Sequence, residues 1–271
     1  MIWETGEVAL LALAIGALLL AIEAGYRLGL RCKADNDEAS TSHLNLLQSA
    51  LLGLLALLLG FTFSMSISRL ETRKLLVLEE ANAIGTTYLR SHFLAEPLRG
   101  EVADLLRQYV AARLEHHRAG IDPVLLKAAR DKGAEIENRL WRAAIAAAAS
   151  APDSLPVSLF VESLNETIDV NEKRQVAFEN HVPEVVIVLL FVVSAVAVGF
   201  LGYANGLTGK RRVYSTAIFA VLIALVLAVI LDTDRPRRGL VQVSQSSLLR
   251  LEASMAQPVA SPAAADRAVR P

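Results

Sequence analysis

Residues 46–67 read LLQSALLGLLALLLGFTFSMSI. This run lies within thirty residues, between Glu38 and Arg69, that contain no Asp, Glu, Lys or Arg. A bilayer core about 30 Å thick takes about 20 consecutive apolar residues to cross as a helix, because every backbone N–H and C=O must bond within the segment itself. The run meets that demand, whereas a core helix of a soluble domain is shorter and carries a polar stripe. Three more stretches share the property. The first runs from Val8 to about Leu30 and is strictly apolar only to Ile22, where Glu23 interrupts it. The third follows Glu184 and stays uncharged up to Lys210, and the fourth, Val213 to Leu231, lies between Arg211-Arg212 and Asp232. The expectation is an integral membrane protein with four transmembrane helices.

The composition agrees. Of 271 residues 54% are hydrophobic and 20% charged, and the mean hydropathy is +0.42. Lys+Arg 27 against Asp+Glu 28 leaves a net charge of -1, with no basic excess to neutralise a phosphate backbone, which argues against nucleic acid as a partner. The single cysteine, Cys32, rules out an intramolecular disulfide. The start of the chain is acidic, with Glu4 and Glu7, and no small-x-small cleavage site follows the first apolar run. A retained helix is therefore expected rather than a signal peptide. Glu23 is expected to pair with Arg27 one turn later at the membrane edge.

Residues 69–184 hold 33 of the 55 charges, interleaved with apolar positions at helical spacing. The second span is expected to run on without a break to about Phe93. Pro97 suits the first turn of a helix whose apolar face is Leu98, Val102, Leu105, Leu106, Tyr109 and Leu114, and Gly120 ends it. Asp122-Pro123 is an N-cap followed by a first-position proline, opening a helix through Leu126, Ala129, Ile136, Leu140 and Trp141. A turn at 150–156 precedes a last helix, Val157 to about His181, that feeds into Pro183. No alternating β pattern of useful length occurs. The expected fold is all-α, with an extramembrane helical bundle between the second and third spans. The expected divisions are 1–68 for the first membrane pair, 69–183 for the bundle, 184–233 for the second pair, 234–254 for a juxtamembrane segment and 255–271 for a disordered tail.

Catalytic signatures are missing: the sequence has no P-loop, GxSxG, HExxH or CxxC. No enzyme activity, cofactor or metal is expected. His116 and His117 are adjacent, so on a helix their rings diverge, and they are expected at the solvated surface. Glu162, Glu166 and Asp169 share one helix face, but Lys173 and Arg174 follow one turn later and favour ordinary ion pairing over a cation site. The motif residues Asp232, Asp234, Arg235, Arg237 and Arg238 read as mutual salt bridges or headgroup anchors.

The second span carries two patterns of its own. Ser49, Gly53, Ala56, Gly60 and Ser64 recur at three- and four-residue steps; of these, Gly53, Ala56, Gly60 and Ser64 make a packing face on which another helix can approach closely within lipid. Leu55, Leu59, Phe63 and Ile67 repeat every four residues. Around an oligomer axis such a ridge forms a hydrophobic constriction that gates by dewetting; otherwise it faces lipid or a neighbouring helix.

Several motifs resemble a bacterial membrane family of unknown function described as bestrophin-like. They are LLGFTFSMSISRLETRK (58–74), EEANAIGT (79–86), LNETID (164–169), NHVP (180–183) and DTDRPRRGLVQVSQ (232–245). The likeness runs in order from about residue 45 to 250. More distantly the chain is similar to bestrophins, pentameric anion channels with four membrane helices per subunit, a pore lined by the second helix and a cytosolic bundle between helices two and three. Leu59-Gly60-Phe61, followed by Arg69, carries that second likeness. The sequence departs from it in having Leu70-Glu71 where an aromatic pair usually follows the arginine. Beyond Asp232 and Asp234 it also lacks the acidic calcium-binding cluster of animal members.

The resemblance implies a homo-oligomer, pentameric in the bestrophin manner, that conducts inorganic anions. Leu59, Phe63 and Ile67 are then the candidate pore neck, with Arg69 and Arg73 as a basic vestibule. Charge counting does not orient the spans. Arg69, Arg73, Lys74, Lys173, Arg174, Arg235, Arg237 and Arg238 stand near the membrane on one side; Arg27, Arg31, Lys33, Lys210, Arg211 and Arg212 stand on the other in shorter loops. The resemblance places the bundle in the cytoplasm, with the spans in a bacterial inner membrane. The competing expectation is a non-conducting membrane protein whose bundle binds a partner or senses stress.

Overall fold

The computed structural model describes residues 7–32, 38–209, 211–235, 237, 239 and 241–257. Every regular element among them is an α-helix: α1 (Glu7–Arg31), α2 (Glu38–Ser91), α3 (Leu98–Arg118), α4 (Pro123–Ser150), α5 (Leu155–Glu179), α6 (Glu184–Thr208), α7 (Val213–Asp234) and α8 (Ser246–Met255). Among the described residues four helices are long and apolar enough to cross a membrane. They are α1, α2, α6 and α7, the four apolar runs of the sequence. Arg238, Lys33, Lys210 and the tail beyond residue 257 lie outside the described residues.

The chain forms two compact units. One holds residues up to Glu71 together with Asn180–Gln242; the other holds Thr72–Glu179 and the chain from Val243. Helix α2 contributes to both. Its 54 residues correspond to about 80 Å at 1.5 Å per residue, far more than a bilayer core of about 30 Å requires.

In the membrane unit, Leu18 of α1, Leu55 of α2, Leu190 and Val198 of α6, and Ala220, Ala224 and Leu227 of α7 form one buried apolar cluster. The outward faces are apolar as well: Leu13, Leu20 and Val185 are 71–72% exposed and Ile218 is 62% exposed. Water would not tolerate so much continuous apolar surface; lipid does. Helices α1 and α6 approach so closely that side chains are excluded from their contact. A Cβ on Gly25 would stand 1.9 Å from the Gly199 carbonyl oxygen, one on Gly202 2.2 Å from that of Ile22, and one on Gly206 2.3 Å from that of Tyr26. The close-packing glycines of this unit are therefore on α1 and α6. Gly53 and Gly60 of α2 have nothing within 4 Å of where a Cβ would be.

The helical bundle unit is built from α2 after Glu71, α3, α4, α5 and α8, with Ile84, Val102, Leu106, Val110, Phe160, Leu164 and Leu248 fully buried. As the sequence suggests, the Asp122 side chain caps α4, accepting the Val124 and Leu125 amides at 2.9 and 3.1 Å beside Pro123 in the first turn. Pro97 precedes α3 at its N-cap rather than lying inside the first turn. Helix α3 stops at Arg118, and Gly120 takes a φ of 57° that favours glycine. The segment 234–254, expected as one juxtamembrane strip, divides between the units at Gln242/Val243. Its later part forms α8, where the Met255 carbonyl accepts from Arg107 Nε at 3.2 Å.

Candidate functional site

Burial phases α2 in the membrane unit and just beyond it. Leu55, Thr62, Ser66, Leu70, Arg73 and Val77 are buried, and their three-, four- and seven-residue steps define one face of the helix. Ser66 Oγ donates to the Ile230 carbonyl of α7 at 3.0 Å. The opposite face carries Gly53, Leu57, Gly60, Phe61 and Ser64, all exposed, with Leu57 at 54% and Phe61 at 66%. Ala56 is exposed too, so the whole small-residue face of α2 is uncovered within one chain. Of the three residues expected at a neck, Phe63 is 40% exposed. Leu59 is half-buried against the apolar cluster, and Ile67 is half-buried.

The outward face of α2 mixes uncovered small residues with Leu57 and Phe61. Helices α6 and α7 show Val185, Val188, Val192, Ile218, Leu222 and Leu225 to the outside, a branched aliphatic surface suited to lipid. Gly, Ala and Ser on α2 suit a close helix contact or a watered lumen.

The two arginines expected to form a vestibule separate. Arg69 is half-buried and donates from Nη1 to Asn180 Oδ1 at 2.6 Å. Arg73 is fully buried, with Nε donating to the Ala177 carbonyl at 3.0 Å. Its guanidinium is thus enclosed within the bundle unit of the single chain.

Two of the sequence motifs meet in space. Asp234, at the end of α7, is fully buried and accepts the Val182 amide on Oδ2 at 2.8 Å. The Nδ1 of His181 stands 2.9 Å from the Asp234 backbone carbonyl; a carbonyl only accepts, so Nδ1 carries the proton. Asp232 Oδ2 accepts the Val241 amide at 3.3 Å, and a Cβ on Gly239 would meet the Asp232 carbonyl at 2.6 Å. Arg235 is 4% exposed and Arg237 half-buried. Asp234 and Arg235 thus do not serve as headgroup anchors: Asp234 ties the linker before α6 to the end of α7, and Arg235 is enclosed beside it.

The bundle unit holds a buried polar network that the sequence did not disclose. Glu80, fully buried, bonds Arg113 Nε through Oε1 at 2.5 Å and Arg174 Nη1 through Oε2. Arg174 Nη2 donates to Gln245 Oε1 at 2.7 Å. Burial holds the Arg174 guanidinium below its usual pKa, and the Glu80 charge works against that shift. Nearby, Glu137 Oε1 accepts from Tyr109 Oη at 2.6 Å and from Asn171 Nδ2 at 2.7 Å. Burial pushes the Tyr109 phenol well above its ordinary value, so it remains a donor.

The ion pairing expected among Glu162, Glu166, Asp169, Lys173 and Arg174 is corrected accordingly. Arg174 turns inward to Glu80, while Asp169 accepts from Asn165 at 3.2 Å. No group of three metal-ligating side chains occurs among the described residues. His116 and His117 are half-buried on α3 rather than fully solvated.

Comparison with known proteins gives this architecture its class. Residues 11–248 match the Bestrophin-like domain; the chain is a membrane protein of the bestrophin-like family. Two mutant crystal structures of a bacterial bestrophin homolog from Klebsiella pneumoniae share its fold. One aligns with a TM-score of 0.65 at 16% identity, covering 91% of this chain and 96% of that one. The other aligns with a TM-score of 0.62 at 16% identity, covering 93% and 98%. No curated protein matches the chain.

Proposed function

We propose that the protein is a homo-oligomeric channel, pentameric in the bestrophin manner and conducting inorganic anions, with α2 arranged around the axis and the bundle in the cytoplasm. The observation that carries this reading is the outward face of α2. Gly53, Ala56, Gly60 and Ser64 are uncovered in the single chain, alongside the exposed Leu57 and Phe61. Small residues let neighbouring subunits close on one another, and a ring of large apolar side chains between them forms a dewetting constriction. Leu57 and Phe61, opposite the buried face of α2, are the best-placed neck residues, with Phe63 on the flank. Leu59 and Ile67 turn partly toward the interior. Arg69 supplies positive charge two residues beyond Ile67 on the same helix.

The test is mass measurement of the detergent-solubilised assembly followed by current recording in planar bilayers. A discrete oligomer with anion-selective current supports the reading. A monomer, or an assembled oligomer that is silent under applied voltage, overturns it.

The competing reading is a non-conducting protein whose bundle recruits a partner. Val124 and Ile145 favour it, standing 74% and 59% exposed on the bundle unit. That reading predicts a stable hetero-complex surviving purification and no current.

A further inference from the structure

A cleft in the membrane unit lies between the later part of α1, the last turns of α6 and the first turns of α7, with a volume of about 200 Å³. Its walls are of two kinds. Leu19, Ile22, Val213 and Ala217 make an apolar side, while Arg211 and Arg212 stand at the α6–α7 connection.

The arginines are held and not fully neutralised. Glu23 receives Arg27 Nε on Oε1 at 2.8 Å and Arg211 Nη2 on Oε2 at 2.9 Å. The Arg211 guanidinium also lies 5.5 Å from the centre of the Tyr26 ring, a cation–π contact. The cleft lining therefore holds one carboxylate, Glu23, against two guanidiniums, Arg211 and Arg212, and Glu23 is shared with Arg27 outside the lining, so the cleft keeps a positive surplus. An arginine has five N–H donors, so the Glu23 bond leaves Arg211 donor capacity, and its side chain is 61% exposed.

We propose that this cleft is a binding site for an anionic phospholipid. The phosphate sits on Arg211 and Arg212, and the upper part of one acyl chain lies along Leu19, Ile22, Val213 and Ala217. A free inorganic anion has use for the arginines but none for the apolar wall; a zwitterionic lipid has use for the wall but offers no net charge to the surplus. The position suits a lipid, since α1 and α7 present Leu20 and Ile218 outward, 72% and 62% exposed. Glu23, which interrupts the first span, then has a role: it holds the arginine that receives the phosphate. The inference needs only the membrane unit and is independent of conduction.

The test uses the full-length protein in detergent. Native mass spectrometry counts lipids retained after exchange into phosphatidylglycerol or phosphatidylcholine. Thermal unfolding is followed against the same lipids and against inorganic phosphate. Phosphatidylglycerol is expected to be retained and to raise the Tm, phosphatidylcholine and phosphate are not. Arg211→Gln with Arg212→Gln should weaken phosphatidylglycerol binding roughly 30-fold, on the usual worth of two arginines near a lipid surface, and the corresponding lysine pair should restore most of it. Ala217→Trp fills the apolar side without touching a charge and should also expel the lipid, which decides the matter if the glutamine pair does not fold. Equal retention of phosphatidylglycerol by wild type and Ala217→Trp overturns the proposal. So does equal retention by wild type and a folded glutamine pair, and so does protection by phosphate alone.

Discussion

The buried Asp234 carboxylate at the end of α7 accepts the backbone amide of Val182 at 2.8 Å, tying together two segments 52 residues apart. An amide hydrogen bond to a charged acceptor in a buried site is strong, and removing the acceptor leaves the N–H unsatisfied. Asp234→Ala should therefore destabilise the membrane unit by about 1–3 kcal/mol. Asp234→Asn, which keeps a carbonyl acceptor, should cost less. Thermal unfolding in detergent distinguishes the two; equal losses would mean that charge, not the bond to Val182, matters there.

Glu80 is enclosed by Arg113 and Arg174, so its removal strands cationic side chains inside the bundle. Breaking a buried pair from one side costs about 3–5 kcal/mol, whereas replacing both partners with apolar residues is often close to neutral. Glu80→Leu should be strongly destabilising and the double variant Glu80→Leu, Arg174→Leu markedly less so. Additive losses in urea titrations would show that the two side chains act independently.

The glycines of the membrane helices should fall into two classes. Gly202→Ala places a methyl group 2.2 Å from the Ile22 carbonyl and should disrupt the α1–α6 contact and with it expression of folded protein. Gly53→Ala and Gly60→Ala meet nothing within the chain. They should leave the monomer's helicity and Tm intact while weakening the oligomer, read by size-exclusion chromatography with light scattering. If they change neither, α2 does not form the subunit contact.

Phe61 and Phe63 offer a direct comparison in bilayers. Phe61, more exposed and opposite the buried face of α2, should dominate: Phe61→Ala is expected to raise open-channel current several-fold, and Phe63→Ala to change it less. The reverse order would rotate the helix about the axis relative to the arrangement proposed here.

Tyr109 predicts a pH dependence. Burial raises its folded pKa above the unfolded value of about 10, so the folded state holds the phenolic proton more tightly. The stabilisation is complete below pH about 10 and is lost as pH rises from there through the folded pKa. Tyr109→Phe should lower stability at neutral pH, because Glu137 loses a donor, and should reduce the alkaline fall. An unchanged alkaline slope would contradict the assignment.

The four spans, the unbroken run of α2 out of its apolar stretch, the Asp122 cap of α4 and the family likeness were all legible in the residues. Each depends on local composition or on spacing along the chain. The missing piece was rotation. A helix apolar on every side has no polar stripe to say which face turns inward, so the four-residue ridge through Leu55, Leu59 and Phe63 could be seen but not aimed. Packing against α1, α6 and α7 aimed it: Leu55 went into the core, and Leu57 and Phe61 were left outward.

Charged residues misled for a related reason. Arg73, Arg174 and Asp234 look like surface groups because ions are costly to bury, and only a partner distant in sequence makes burial affordable. Ala177, Glu80 and Val182 are those partners. The sequence by itself determined which stretches enter lipid and that they are helical, because a bilayer enforces length, apolarity and internal hydrogen bonding on each segment alone. The tertiary structure decided which glycines carry helix contact, which charges go inside and which face of α2 is left uncovered, because those depend on contacts between segments that no local pattern specifies.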